Sequence, residues 1–318
     1  LATNLVTGGA GFIGSNLARE LLARGERVRI LDNFSTGHRE NLEGLEGAEV
    51  IEGDILDPDT CARACQGVEF VFHEAALPSV PRSVKDPPGS HHACATGTIN
   101  MLWAALAAKV RRFVYAGSSS AYGNTPTLPK QETICPEPRS PYAVAKLAGE
   151  HYCRAFYFSH GLEAVTLRYF NVFGPHQDPG SPYSGVLSVF ITRLLRGEVC
   201  TINGDGGTSR DFTYIDNVVA ANLLARHAPR APGNVYNMGC GRNVTLKWVY
   251  DFLAKEIGST LAPLYGPERA GDVKHSLADV TAAEHDLGYE PIVDLETGLR
   301  KTIEWYREQE RIFQMAAR

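Results

Sequence analysis

The stretch NLVTGGAGFIGSNLARELLARG (residues 4–25) decides the fold. Its first residues form a short apolar run that reads as a strand. Ile13, Leu17, Leu21 and Leu22 then recur on one face of a helix. Between the two, Gly8, Gly11 and Gly14 stand at three-residue steps around Phe12 and Ile13. Glycines so placed permit a tight turn, bring backbone N–H groups close to a pyrophosphate and let the helix pack against the strand. The helix N-terminus then offers free N–H groups and a positive dipole end to the phosphates. A Gly-rich turn alone is a weak signal. Here the next strand, RVRILDN (27–33), ends in Asp32, about 20 residues on, where a carboxylate meets a ribose. That carboxylate accepts from ribose hydroxyls and repels a 2′-phosphate, and no Arg follows at Asn33 or Phe34. The expected cofactor is therefore NAD rather than NADP.

Outward from this unit, strand and helix signals alternate. AEVIEGDI, EFVFHEAA, RFVYAGS and EAVTLRYFNVFG read as strands, with helices in GTINMLWAALAAKV and YAVAKLAGEHYCRAFYFSHG. Such alternation predicts an α/β fold, a doubly wound parallel sheet with helices on both faces. Asp54 and Ile55, just past the third strand, are expected at the adenine edge; Asn33, Ala75, Ala76 and Tyr169 complete the expected cofactor site. After residue 172 the texture changes, and GPHQDPGSPYSG (174–185) marks a junction. The expected division is a dinucleotide-binding domain over 1–172, with a return segment near 211–239, and a smaller α/β substrate region over 173–318.

At 318 residues, 44% hydrophobic and 21% charged, the chain has an ordinary globular composition. Its net charge of −5 argues against a nucleic-acid or anionic-membrane surface, so an anionic ligand needs local cations. No apolar run reaches the roughly 18–20 residues of a membrane span, and the first residues lack a signal-peptide pattern. A cytoplasmic protein is expected. Seven scattered cysteines without a CxxC pair read as reduced thiols. His91-His92 has no companion cluster at ligand spacing, so no metal is expected. His73, ending the fourth strand, reads as support for the cofactor loop rather than as a base.

Tyr142 and Lys146 lie four residues apart at the start of a helix and so share a face. A phenol of ordinary pKa near 10 is a poor base at neutral pH; an adjacent ammonium and a positive nicotinamide ring would favour its phenolate. Ser118, in GSSSAYG at the end of a strand, is placed to hydrogen-bond a reacting oxygen. A tyrosine and lysine at this spacing also occur on exposed helix faces, and it is the strand-end serine that gives the pair weight.

With the Gly8/Gly11/Gly14 turn, Ser118 and Tyr142-x-x-x-Lys146, the chain resembles the extended short-chain dehydrogenase/reductase family. RYFNVFGP (168–175) and SRDFTYIDN (209–217) resemble its nucleotide-sugar epimerases, and the likeness spans essentially the whole chain. It implies a UDP-hexose 4-epimerase in which Tyr142 is the acid/base, Lys146 tunes it and binds the cofactor ribose, and Ser118, with Ser120, assists at the sugar. It also implies that Asn171, Arg210 and Arg269 hold the diphosphate, that Asn203 is among the substrate-binding residues, that Asp272 lies near the uridine ribose, and that the partner is a second copy of the chain through a helix bundle including the Tyr142 helix. Ser276 stands where a bulky residue would exclude an N-acetyl group. With SVPRS (79–83), it implies that UDP-N-acetylglucosamine is accepted beside UDP-glucose. Cys94 departs from the asparagine usual three residues before Gly97. Two rivals stand beside this reading. A 4,6-dehydratase or decarboxylase shares the scaffold, but dehydratases carry an Asp-Glu pair where this chain has Ser119 and Ser120. A non-enzymatic dinucleotide sensor would tend to lose the Tyr/Lys pair that this chain keeps.

Overall fold

Neighbouring residues on the first strands are both buried, Leu5 beside Val6 and Ile30 beside Leu31, so each strand needs apolar cover on two faces. The computed structural model, which describes residues 3–178, 180, 185–268 and 273–316, supplies that cover. In chain order the first half contains β1 (Thr3–Thr7), α1 (Phe12–Ala23), β2 (Arg27–Asp32), β3 (Glu49–Glu52), α2 (Pro58–Cys65), β4 (Phe70–His73), α3 (Val80–Lys85), α4 (Pro87–His91), α5 (Gly97–Ala107), β5 (Arg112–Ser118), α6 (Pro141–His160) and β6 (Ala164–Tyr169). The second half contains β7 (Val172–Phe173), α7 (Val186–Leu195), β8 (Thr201–Asn203), β9 (Ser209–Asp211), β10 (Thr213–Tyr214), α8 (Ile215–His227), β11 (Val235–Met238), β12 (Asn243–Thr245), α9 (Leu246–Ile257), β13 (Leu264–Gly266), α10 (Thr281–Leu287) and α11 (Leu295–Ala316).

Seven strands form one parallel sheet in the order β11-β6-β5-β4-β1-β2-β3. Leu5, Leu31, Val71, Phe113 and Ala164 point to the face covered by α2, α5 and α6, where Met101, Leu102, Cys153 and Phe156 complete a core. Their neighbours Val6, Ile30, Phe72, Val114 and Val165 point to the other face, in a core continuous with the C-terminal segments as far as Tyr306. α8 packs on α1 and β5. Its Arg226 is tied to Glu26 at 2.6 Å and to Asn4 at 3.0 Å, so residues far apart in sequence close this face together. Among the described residues no helix is long and apolar enough to cross a membrane.

The doubly wound sheet agrees with the expectation from sequence. The alternating signals did not reveal α2, α3 and α4, each eight residues or fewer, nor the two- and three-residue strands β9, β10, β12 and β13. α2 is nevertheless announced by its cap, since Asp57 accepts the Asp59 N–H and Pro58 opens the helix.

A buried ion pair joins α6 to the sheet. Arg168 of β6 donates through Nε to Glu150 at 2.8 Å, with both side chains almost wholly enclosed and the guanidinium 4.7 Å from the Tyr122 ring centroid. Removing one partner leaves the other charge buried and alone. Arg168→Leu is expected to lower the free energy of unfolding by about 3–5 kcal/mol in urea titrations, and the Arg168→Leu/Glu150→Leu double variant to recover most of that loss.

Candidate active site

Strand order reverses between β1 and β4, with β2 and β3 on one side and β5, β6 and β11 on the other. The loops leaving these two strands therefore diverge to opposite faces and open a crevice at the carboxyl edge of the sheet. A cleft of about 890 Å³ lies there.

At one end stand Gly8, Gly11, Phe12, Ile13 and Gly14. Gly8 has φ +68°, and a Cβ on it would stand 2.8 Å from the Ala75 backbone. A Cβ on Gly14 would run into the Gly8 carbonyl oxygen, so the turn can lie this close to α1 only with glycine there. Gly11 caps α1 without a side-chain acceptor, which leaves first-turn N–H groups for an anionic ligand. Asp32 is pinned by the N–H groups of Ala10 (2.9 Å) and Phe34 (2.8 Å). Beside it, Asn33 donates to Asp54 at 2.8 Å, and Ile55 closes the wall. Ala75 and Ala76 form the floor. The cradle fits an extended dinucleotide with its phosphates at the glycine turn and a ribose at Asp32.

At the other end α6 begins. Ser140 caps it by accepting the Ala143 N–H at 3.2 Å, and Pro141 occupies the first turn. This start turns Tyr142 and Lys146 together into the cleft beside Ser118. Lys146 Nζ donates to the Ala116 carbonyl at 2.7 Å. A Cβ on Gly149 would collide with the Tyr115 hydroxyl, which donates to the Lys146 carbonyl at 3.1 Å. Small size at Gly149 therefore lets α6 press onto β5.

Burial dominates the electrostatics of this pair. Burial pushes the Tyr142 phenol up from its ordinary value; Cys94 and Glu74 add to the rise, and Ser118 opposes it. Burial lowers the Lys146 ammonium. The phenolate expected beside an ammonium is thus not favoured in the protein by itself, because desolvation dominates and Nζ is engaged by Ala116. His73 behaves as a support. Its Nδ1 lies 2.7 Å from Thr7 Oγ1, which accepts the Ala75 N–H, and burial lowers its pKa to about 3. Cys94 is fully buried in a cluster with Ala95, Ala145 and Tyr142, so at this position the chain places an apolar neighbour against the phenol.

A second cavity, about 290 Å³, shares Asn171, Val172, Gln177 and Gly185 with the cleft and is also lined by Asn203 and Arg210. Arg210 Nη1 donates to the Ser209 carbonyl at 3.0 Å, which anchors the guanidinium to β9. Tyr169 lines the cleft. Ser120 lines neither cavity; its hydroxyl lies 2.8 Å from that of Ser118. Ser276 also lines neither, since its N–H pairs with the Ser209 carbonyl at 3.1 Å and its side chain is buried. Arg269 and Asp272 lie outside the described residues. Among the described residues no three His, Cys, Asp or Glu gather as a metal site.

Sequence reasoning missed the Ser35-Thr36-Gly37-His38 loop and Glu74, all on the cleft wall. The loop had a signal: small polar residues directly after Asp32. A Cβ on Gly37 would stand 2.9 Å from Ala10 and 3.0 Å from the Asp32 carboxylate. Glu74 had none, because its partner Tyr169 is 95 residues away.

Comparison with known proteins agrees with this geometry. Residues 4–239 match the family described as NAD dependent epimerase/dehydratase family. A UDP-glucose 4-epimerase of Mycolicibacterium smegmatis is 38% identical over 310 residues, covering 96% of this chain and 98% of that protein. The structure of Thermus thermophilus UDP-glucose 4-epimerase in complex with NAD superposes with a TM-score of 0.87 at 36% identity, over 96% and 99% of the two chains. That of a UDP-N-acetylglucosamine 4-epimerase from Methanobrevibacter ruminantium, in complex with UDP-N-acetylmuramic acid, gives 0.93 at 36%, over 97% and 99%. The chain therefore belongs to the NAD dependent epimerase/dehydratase family, and its cofactor is NAD.

Proposed function

We propose that the protein is a UDP-hexose 4-epimerase acting on UDP-glucose and UDP-galactose and on their N-acetylated counterparts. The observation that carries this reading is the meeting of Ser118, Tyr142 and Lys146 at one end of the dinucleotide cleft, beside a second cavity that holds Asn203 and Arg210. NAD, when bound, supplies a reversible hydride acceptor for C4 of the sugar. Tyr142 takes the O4 proton as the C4–H bond breaks and returns it when hydrogen is restored to the opposite face of the 4-keto sugar. Ser118 holds O4, and Lys146 holds a cofactor ribose and stabilises the phenolate. Burial keeps the Tyr142 phenol protonated in the chain alone, so its activation requires the positive ring placed beside it.

Arg210 and Asn171 are assigned to the diphosphate, for which a guanidinium fork provides paired hydrogen bonds, and Asn203 to the nucleotide end. Arg269, Asp272 and Ser120 keep the roles that the resemblance implies. Acceptance of both sugar types is supported by the two kinds of relatives. The small Ser276 is compatible with it, although it forms no part of either cavity wall.

A division into a dinucleotide-binding domain, completed by α8 and β11, and a substrate region after residue 172 belongs to the same proposal. So does a homodimer. Val144, Tyr152 and Phe158 are 53%, 40% and 70% exposed along one face of α6, and Trp103 of α5 is 60% exposed with its ring 6.1 Å from that of His160. An apolar stripe of this kind suits a bundle of α5 and α6 with their copies. Phe158→Asp combined with Trp103→Ser is expected to sediment as a monomer where the parent sediments as a dimer.

Two measurements test the chemistry. Tyr142→Phe is expected to lose about 10²–10⁴-fold in kcat while keeping NAD bound; parental activity in a folded, loaded variant defeats the assignment. Incubation with either UDP-sugar in D₂O is expected to yield the C4 epimer without deuterium at C4. A 4-keto-6-deoxy product labelled at C6 would instead identify a dehydratase.

A further inference from the structure

We infer that Glu74 is a positioning residue for the charge state of the cofactor: its carboxylate, held by Tyr169 on the wall of the cleft that Lys146 also lines, makes the site prefer the oxidised, cationic nicotinamide to the reduced, neutral one. The inference rests on Tyr142 and Lys146 marking the nicotinamide end of the cleft.

Glu74 is the first residue after β4, at the point where the strand order reverses, and its N–H donates to the Thr7 carbonyl at 3.2 Å. Its side chain lines the same cleft as Ser118, Tyr142 and Lys146. The Tyr169 hydroxyl lies 2.8 Å from Glu74 Oε1 and accepts from the Asn222 amide at 2.8 Å. An amide NH₂ only donates, so the single phenolic proton of Tyr169 is directed at Oε1. Asn222 of α8 thereby orients Tyr169 of β6, and Tyr169 fixes the carboxyl group. Among the described residues Oε2 has no hydrogen-bond partner.

The groups facing this carboxyl come from each element packed around it. α6 contributes Lys146 and Tyr142, β6 contributes Tyr169, and β4 itself ends in His73, which burial keeps neutral. Among the described residues Lys146 is the one cation acting on Glu74. Burial raises the carboxyl pKa to about 7, with Tyr169 and Lys146 opposing the rise. Both protonation states are therefore populated near neutrality, and a positive ring would draw Glu74 into its ionised form. Linkage is reciprocal: whatever factor the ring adds to ionisation, ionised Glu74 returns as preference for that ring. A shift of about one pKa unit corresponds to about tenfold. Such a preference would hold the resting site in the state that can accept hydride from C4.

The test is a competition. Protein equilibrated with mixtures of NAD and NADH is separated from free nucleotide, and the bound ratio is read by chromatography from about pH 6 to about pH 8. Tyr142→Phe is the background, so that the phenolic proton does not enter. The bound NAD:NADH ratio is expected to rise about fivefold across this range, the part of the tenfold span that it covers. Glu74→Gln, which keeps an oxygen for Tyr169 and removes the charge, is expected to flatten the profile at the low-pH ratio. An unchanged ratio and pH profile in Glu74→Gln would overturn the inference and leave Glu74 as a structural acceptor for Tyr169. No UDP-sugar is present, so the outcome is separate from whether the protein epimerises one.

Discussion

The hydrogen bond from Lys146 Nζ to the Ala116 carbonyl ties the first turns of α6 to the end of β5. Much of the site hangs on that attachment. The Tyr115 hydroxyl returns a bond to the Lys146 carbonyl, and Gly149 lets helix and strand come within reach of both. Tyr142 is one turn from Lys146, so once the helix is docked its phenol is committed to the cleft next to Ser118. The same close docking removes water, which raises the pKa of the phenol and lowers that of the ammonium.

A second set of buried polar contacts fixes the second cavity relative to the first. Asp211, wholly enclosed at the end of β9, accepts the N–H groups of Cys240, Gly241 and Ala278, and burial raises its pKa to about 6. Three chain segments distant in sequence are gathered on one carboxylate, next to Arg210. Asn171 spans the gap to this hub, donating to the Asp211 carbonyl at 2.8 Å while its residue lines both cavities. Dinucleotide cleft and second cavity thus share a wall, as a reaction between a cofactor and a nucleotide sugar requires.

The net charge of −5 offers no general attraction for an anionic ligand. The local features that suit one are the helix-end N–H groups at the glycine turn and Arg210 in the second cavity. Against that background a carboxyl group on the cleft wall at Glu74 is conspicuous, because it opposes anions and suits a cation.

The sequence by itself determined the parallel α/β sheet, the glycine turn, Asp32 and the Tyr142/Lys146 pair, because each depends on periodicity or spacing within one or two adjacent elements. Only the tertiary structure decided what depends on contacts between distant segments. The Glu74–Tyr169–Asn222 chain, the Asp211 hub and the loop folded over Ala10 join residues whose separation no local pattern records. It also decided how strongly burial raises the Tyr142 phenol, since spacing reveals a neighbouring ammonium but not how much water the fold removes.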